Sequence, residues 1–198
     1  MPPKASFHRC ARRGTEAAES GLSLVENTRG GVAAQATTVQ TSWDDHAWHL
    51  RFDCVDAHPW AMISTRDAAL WTEEVVEVFV DPVGDLESYF EIEVNPLNTV
   101  CDLVLRRVAS GWRREFGWHC AGLETVVEHT ERGWNAEVHI PFTALVEASP
   151  RPGTIWRVNF FRIDRPDGAG GVAELSAWSP TLAPTFHRPA RFGFIEFD

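Results

Sequence analysis

From Thr37 onward the chain is a succession of short runs in which apolar and polar residues alternate, separated by turn residues. In AWHLRFDCVD, Trp48, Leu50 and Phe52 alternate with His49, Arg51 and Asp53. That period of two buries one side of a strand and exposes the other. EVVEVFVDPVGDLESYFEIEVNP reads as two strands joined by a Pro-Val-Gly-Asp turn. TTVQTSW, VCDLVLRRV, LETVVEHT, GWNAEVHIPF, TIWRVNFFRID and RFGFIEF bring the expected total to roughly nine or ten strands, with ERG at 131–133 as a hairpin turn. Helical pattern is confined to IPFTALVEA, a turn or two from Phe142 to Val146. Residues 1–36 carry little periodicity and read as a lead-in and edge segment of the same domain, whose body is 37–198. Short strands, frequent turns and no alternating long helices predict an all-β chain, a single antiparallel β-sandwich of jelly-roll type.

Composition narrows the function classes. The chain has 198 residues, is 44% hydrophobic and carries a net charge of -10. It has the material for a core but lacks the basic footprint that nucleic-acid binding requires. No apolar run approaches the ~18 residues of a membrane-spanning helix. Cys10, Cys54, Cys101 and Cys120 show no C-x-x-C spacing and read as reduced core thiols. The basic start lacks the apolar stretch of an export signal, so a cytoplasmic location is expected for the sequence as written. A mis-assigned start would make it periplasmic or extracellular. Nine Trp against a single Tyr is the compositional oddity.

Candidate chemistry lies in the two central strands. Val76, Val78 and Val80 alternate with Glu77, Phe79 and Asp81; Phe90, Ile92 and Val94 alternate with Tyr89, Glu91, Glu93 and Asn95. Pairing through the 82–88 turn would set two carboxylate rows side by side on a solvated sheet face, with the valines toward the core. A solvated face explains such charges without any function. The aromatics Trp71, before the acidic strand, and Phe186, after WSPTLAP, favour a ligand. Sugars stack their C–H faces on aromatic rings and hydrogen-bond carboxylates through their hydroxyls. Arg162 and Arg165 are the candidates to neutralise the acidic face.

TTVQTSWDD, LRFDCVD, Arg66-Asp67, LWTEEVVEVFVDP, YFEIEVNPLNTVCDL, GWNAEVHIPFTAL, WRVNFFRID and WSPTLAPTFHRPARFG, in that order, resemble the family 9 carbohydrate-binding modules and their DOMON-like relatives. The nearest likeness is to stand-alone bacterial proteins of this type. The resemblance implies non-catalytic binding of an oligo- or polysaccharide, no required cofactor, and structural calcium, for which Asp81 and Asp85 are the nearest candidates. Trp71 matches the family's first stacking aromatic, Glu77 its carboxylate, and Phe186 stands where a second Trp is usual. Glu93 occupies a position that can be Arg, and Ala183 one where an amide is expected. The candidate binding set is therefore Trp71, Glu77, Glu91, Glu93, Asn95, Phe186 and His187, with no catalytic residue. The competing readings are a structural or interaction sandwich that has lost sugar binding, a glycoside hydrolase and a b-type haem carrier. Glu91 and Glu93 are neighbours on one strand, whereas hydrolysis needs carboxyls on opposite sides of the bond. The His residues show no paired ligand spacing.

Overall fold

The computed structural model describes residues 5–15 and 21–198, so parts of the 1–36 lead-in lie outside the described residues. The strands are β1 (Phe7–Arg12), β2 (Leu22–Ser23), β3 (Val25–Glu26), β4 (Thr37–Trp43), β5 (Ala47–Val55), β6 (Val75–Asp81) and β7 (Ser88–Val94). They continue as β8 (Val100–Val108), β9 (Gly111–Glu115), β10 (Glu124–Thr130), β11 (Gly133–Pro141), β12 (Ile155–Asp164), β13 (Glu174–Ala177) and β14 (Gly193–Phe197). One helical turn, α1 (Phe142–Leu145), falls where IPFTALVEA placed it. Short 3-10 turns occupy Leu70–Thr72 and Pro189–Arg191.

One sheet runs β10-β11-β5-β4 and the other β14-β12-β6-β7-β8-β9, and β1 lies between them in the hydrogen-bonded path. It pairs in parallel with β14 through Phe7 to Cys10 and with β4 through Ala11 and Arg12. Within the 1–36 segment read as an edge, β1 is thus an interior strand, while among the described residues β2 pairs only with β4 and β3 only with β13. FHRCAR hid it because only Cys10 reaches the core, while Phe7 is 54% exposed. The inward residues of both sheets merge in one hydrophobic cluster. Trp48, Leu50 and Phe52 of β5 and Trp134, Val138 and Ile140 of β11 meet Val76, Val78 and Val80 of β6 and Trp156 and Phe160 of β12. Edge-to-face rings knit this layer, with Trp43, Phe142, Trp156 and Phe197 at its centre. Most of the tryptophan excess is therefore core packing.

A second cluster forms on the outer side of the β14–β9 sheet, from Val75 and Phe79 of β6, Tyr89 of β7, Cys101, Leu103 and Leu105 of β8 and Phe161 of β12, capped by Leu70, Phe186 and Phe192. This corrects the solvated carboxylate row. The β6–β7 pairing is as expected, with Glu77 opposite Glu93 and Phe79 opposite Glu91. However, Glu77, Glu91, Glu93 and Asn95 are all buried, because two connecting segments fold across that face. All four cysteines are buried and unpaired. Burial pushes the Cys10 thiol up to about 11 and those of Cys54 and Cys120 to about 12.

Candidate functional site

The first covering segment carries Trp71. It is held by its neighbours: Leu70 is buried in the outer cluster, and Glu73 accepts the Met62 and Ile63 N–H groups at 2.8 and 2.9 Å. Asn95 ties the same loop down, donating to the Ile63 carbonyl at 2.8 Å and accepting the Leu97 and Thr99 N–H groups. The second covering segment carries Phe186 and His187. Thr181 donates to the Thr185 carbonyl at 2.7 Å, Arg188 donates to the Thr181 carbonyl at 3.1 Å, and Asn27 donates to the Ala183 carbonyl at 2.8 Å. Phe186 stacks on Phe161 at 4.2 Å with its planes 21° apart.

Between the two segments lies a cavity of about 160 Å³, lined by Trp71, Phe186, Glu77, Glu91, Arg114 and His187 together with aliphatic and loop residues. A larger hollow of about 440 Å³ lies on the outer side of the other sheet, by Thr38, Asp53, Arg132 and Asn135, and has no aromatic wall. The smaller one unites flat rings with convergent polar groups, the combination expected of a small-molecule site.

Of the candidate set, Trp71, Glu77, Glu91, Phe186 and His187 line this cavity. Glu93 sits behind it, fully buried, opposite Glu77 and Cys101. Asn95 spends its amide on the Trp71 loop. Arg114 was missed. β9 pairs Arg114 with Leu105, which puts Arg114 on the outer side of the sheet. Trp112, Arg114 and Phe116 share that parity, a signal present in the sequence. Of the expected neutralisers, Arg162 points the other way, bonded to Asp56 and Asp164 at 2.8 and 2.6 Å, and Arg165 donates to the Gly171 carbonyl at 3.3 Å.

Arg114 organises the polar side of the cavity. Its guanidinium lies over the Trp71 ring, 5.3 Å from the centroid, and it donates to His187 Nε2 at 3.0 Å. Because Arg has donors only, Nε2 must be an acceptor, so His187 is the neutral Nδ1–H tautomer donating to the Tyr89 hydroxyl at 2.7 Å. Burial, then the Arg114 charge, lowers the His187 pKa to about 4. Glu91 Oε2, 3.8 Å from Nδ1, is too far away to reverse this. Burial also raises the three carboxyls. Burial pushes Glu91 up to about 7, against the proximity of Glu93 and the attraction of Arg114. Glu77 and Glu93 are raised well above the carboxylate range by burial first and by their acidic neighbours next. Buried carboxyls favour the protonated form. Glu91 Oε2 and both Glu93 oxygens are buried without a hydrogen-bond partner among the described residues.

Asp81 takes the Gly84 and Leu86 N–H groups and Asp85 that of Glu87, so both carboxylates hold their own turn. Two groups of closely spaced acidic ligand atoms occur elsewhere among the described residues, at Asp67, Asp102 and His119 and at Asp56, Glu74 and Asp164. Each already contains an arginine: Arg66 lies 2.7 Å from Asp102, and Arg162 bridges Asp56 and Asp164. Asp81 thus gives both carboxylate oxygens to backbone donors and Asp85 one, while Glu87 faces Arg107 at 3.8 Å.

The fold and this slot define a β-sandwich of the binding-module kind, with its candidate site on the outside of one sheet. The family model described as carbohydrate family 9 binding domain-like matches residues 18–198, and the chain belongs to that family. A Bacteroides uniformis structure described as a proposed carbohydrate-binding protein superposes with a TM-score of 0.76 at 18% identity, covering 98% of this chain and 100% of that one. A family 9 carbohydrate-binding module from Caldicellulosiruptor kristjanssonii, in complex with cellotriose, gives 0.70 at 14% identity over 98% of this chain and 94% of that one. A protein from Arthroderma benhamiae named only as an extracellular protein is 24% identical over 174 residues, 81% of this chain and 78% of its own.

Proposed function

We propose that the protein binds carbohydrate without chemical turnover, taking a sugar unit into the slot between the Trp71 and Phe186 segments. The observation that carries this reading is the meeting, in one cavity, of two aromatics from separate loops with Glu77 and Glu91 from adjacent strands. Trp71 is the partly exposed wall on which a sugar face stacks, Phe186 is the packed floor, and Glu77 and Glu91 accept hydroxyl protons. Membership of the family and the cellotriose complex of the Caldicellulosiruptor kristjanssonii module support a sugar ligand. Glu77 and Glu91 stand on neighbouring strands of one wall and do not flank a bond from two sides, which supports binding over hydrolysis. The cavity volume of about 160 Å³ suits a terminal sugar better than the middle of a chain.

Calorimetry against a glycan panel, with wild type and Trp71→Ala, tests the reading. Wild type binds at least one glycan, and the variant loses about tenfold or more in affinity, roughly 1.4 kcal/mol. Failure of every glycan, or equal binding by the variant, would sink it.

A further inference from the structure

We infer that the ligand of this slot carries a protonated amine: an amino sugar with a free ammonium group, bound in preference to its N-acetylated or neutral counterpart. The inference rests on the slot being the sugar site. It follows from the balance of donors and acceptors along one wall.

Glu77 and Glu91 line the cavity, and Glu93 stands directly behind them. Arg114 is the cation among the cavity's lining residues, and it is already engaged with the His187 Nε2 and the Trp71 ring. His187 is neutral and spends its one N–H on Tyr89. Three carboxyls thus share one guanidinium. Glu91, 3% exposed, lines the cavity, and its Oε2 accepts no hydrogen bond from the described residues. Buried acceptors without donors are costly, and buried anions without counter-charge more so. Protons held by the carboxyls are one way to meet that cost.

An ammonium group meets it differently. It brings three N–H donors and a full positive charge to the point where the acceptors converge. The aromatic wall adds attraction, since the face of an indole favours a cation. A sugar hydroxyl can donate to Glu77 or Glu91 but brings no charge, so the carboxyls keep their protons. An N-acetyl group is bulkier and neutral, and has one N–H in place of three. The slot therefore discriminates by charge as well as by shape. The same exchange makes binding release protons, and amine affinity rises with pH through neutrality until the ligand loses its own proton. The groups facing Glu91 in this linkage are Glu77 on β6, Glu93 and Tyr89 on β7, Cys101 on β8, Arg114 on β9 and His187 on the covering segment.

The test is calorimetry at neutral pH with glucosamine oligosaccharides, N-acetylglucosamine oligosaccharides and cello-oligosaccharides of equal length. The expected result is an amine form bound about tenfold or more tightly than the other two. Titrations in two buffers of different ionisation enthalpy should show net proton release for the amine form only. Glu77→Gln and Glu91→Gln, each isosteric, should bring the preference toward unity. Equal or tighter binding of the neutral sugars, or an unchanged preference in both variants, overturns the amine inference and leaves the sugar slot standing. Binding of no sugar at all overturns both.

Discussion

Glu93 has no exposed surface, and neither of its oxygens has a hydrogen-bond partner among the described residues. Its folded pKa lies above its unfolded one, and the same holds for Glu77 and Glu91. Below about pH 4.3 both states hold these protons; above it the unfolded chain releases them first, so stability falls as pH rises toward the folded values. Glu93→Gln removes one such group while keeping its shape. Thermal unfolding should show the variant gaining on wild type from about pH 5 to about pH 8, by roughly 1–3 kcal/mol at the upper end. A constant difference across that range would mean that Glu93 is not protonated in the fold. His187 acts in the opposite sense. With its pKa lowered to about 4, it contributes stability above its unfolded value that is lost as the pH falls. Arg162, buried between Asp56 and Asp164, is the counterpart of the glutamate cluster inside the sandwich. Arg162→Met leaves those acids uncompensated and should cost about 3–5 kcal/mol in urea unfolding. At this scale Trp71 and Glu77 stood out because Trp71 shortly precedes, and Glu77 lies within, a clear strand pattern. Arg114 was not read, although Trp112 and Phe116 share its parity, because its role depends on the Trp71 and His187 segments that fold over the same sheet face.

Among the elements, the alternating strands β5, β6, β7 and β11 were legible because one side of each faces the core between the sheets. The 131–133 turn was legible too, and the structure shows why glycine ends it. Gly133 has φ +146, and a Cβ there would stand 2.1 Å from the Cys54 carbonyl oxygen and 2.6 Å from the Asp56 nitrogen. Gly133→Ala must break the β11–β5 pairing at its end, at a cost of more than about 3 kcal/mol. Soluble expression and a urea midpoint would check this; a near-wild-type midpoint refutes it. The outer side of β6, β7 and β8 was misread for a physical reason. Charges in alternation ordinarily mark a solvated face, and nothing local to a strand reveals that loops from residues 56–74 and 178–192 will lie across it. Phe79 and Tyr89, in the same rows as the glutamates, were the trace of that cover in the sequence.

At the scale of the molecule, the formal net charge of -10 counts acids that are buried, Glu77 and Glu91 along the slot and Glu93 behind it among them. The sandwich class follows from pattern alone, but its closure does not. Closure depends on β1, which pairs in parallel with β14 and β4 and whose sequence shows almost no periodicity. That seam also has a kinetic consequence. Phe7 lies beside Phe194 and Cys10 beside Phe197, so nearly the whole chain is enclosed as a loop when the two strands meet. Contacts so distant in sequence form late, and β-sandwiches of this kind refold in about milliseconds to seconds. A substitution that loosens the seam, such as Cys10→Ala, should steepen the unfolding rate while leaving the refolding rate nearly unchanged. Stopped-flow tryptophan fluorescence would read both limbs. A matching fall in the refolding rate would mean that the chain joins its two ends before it builds the sheets between them.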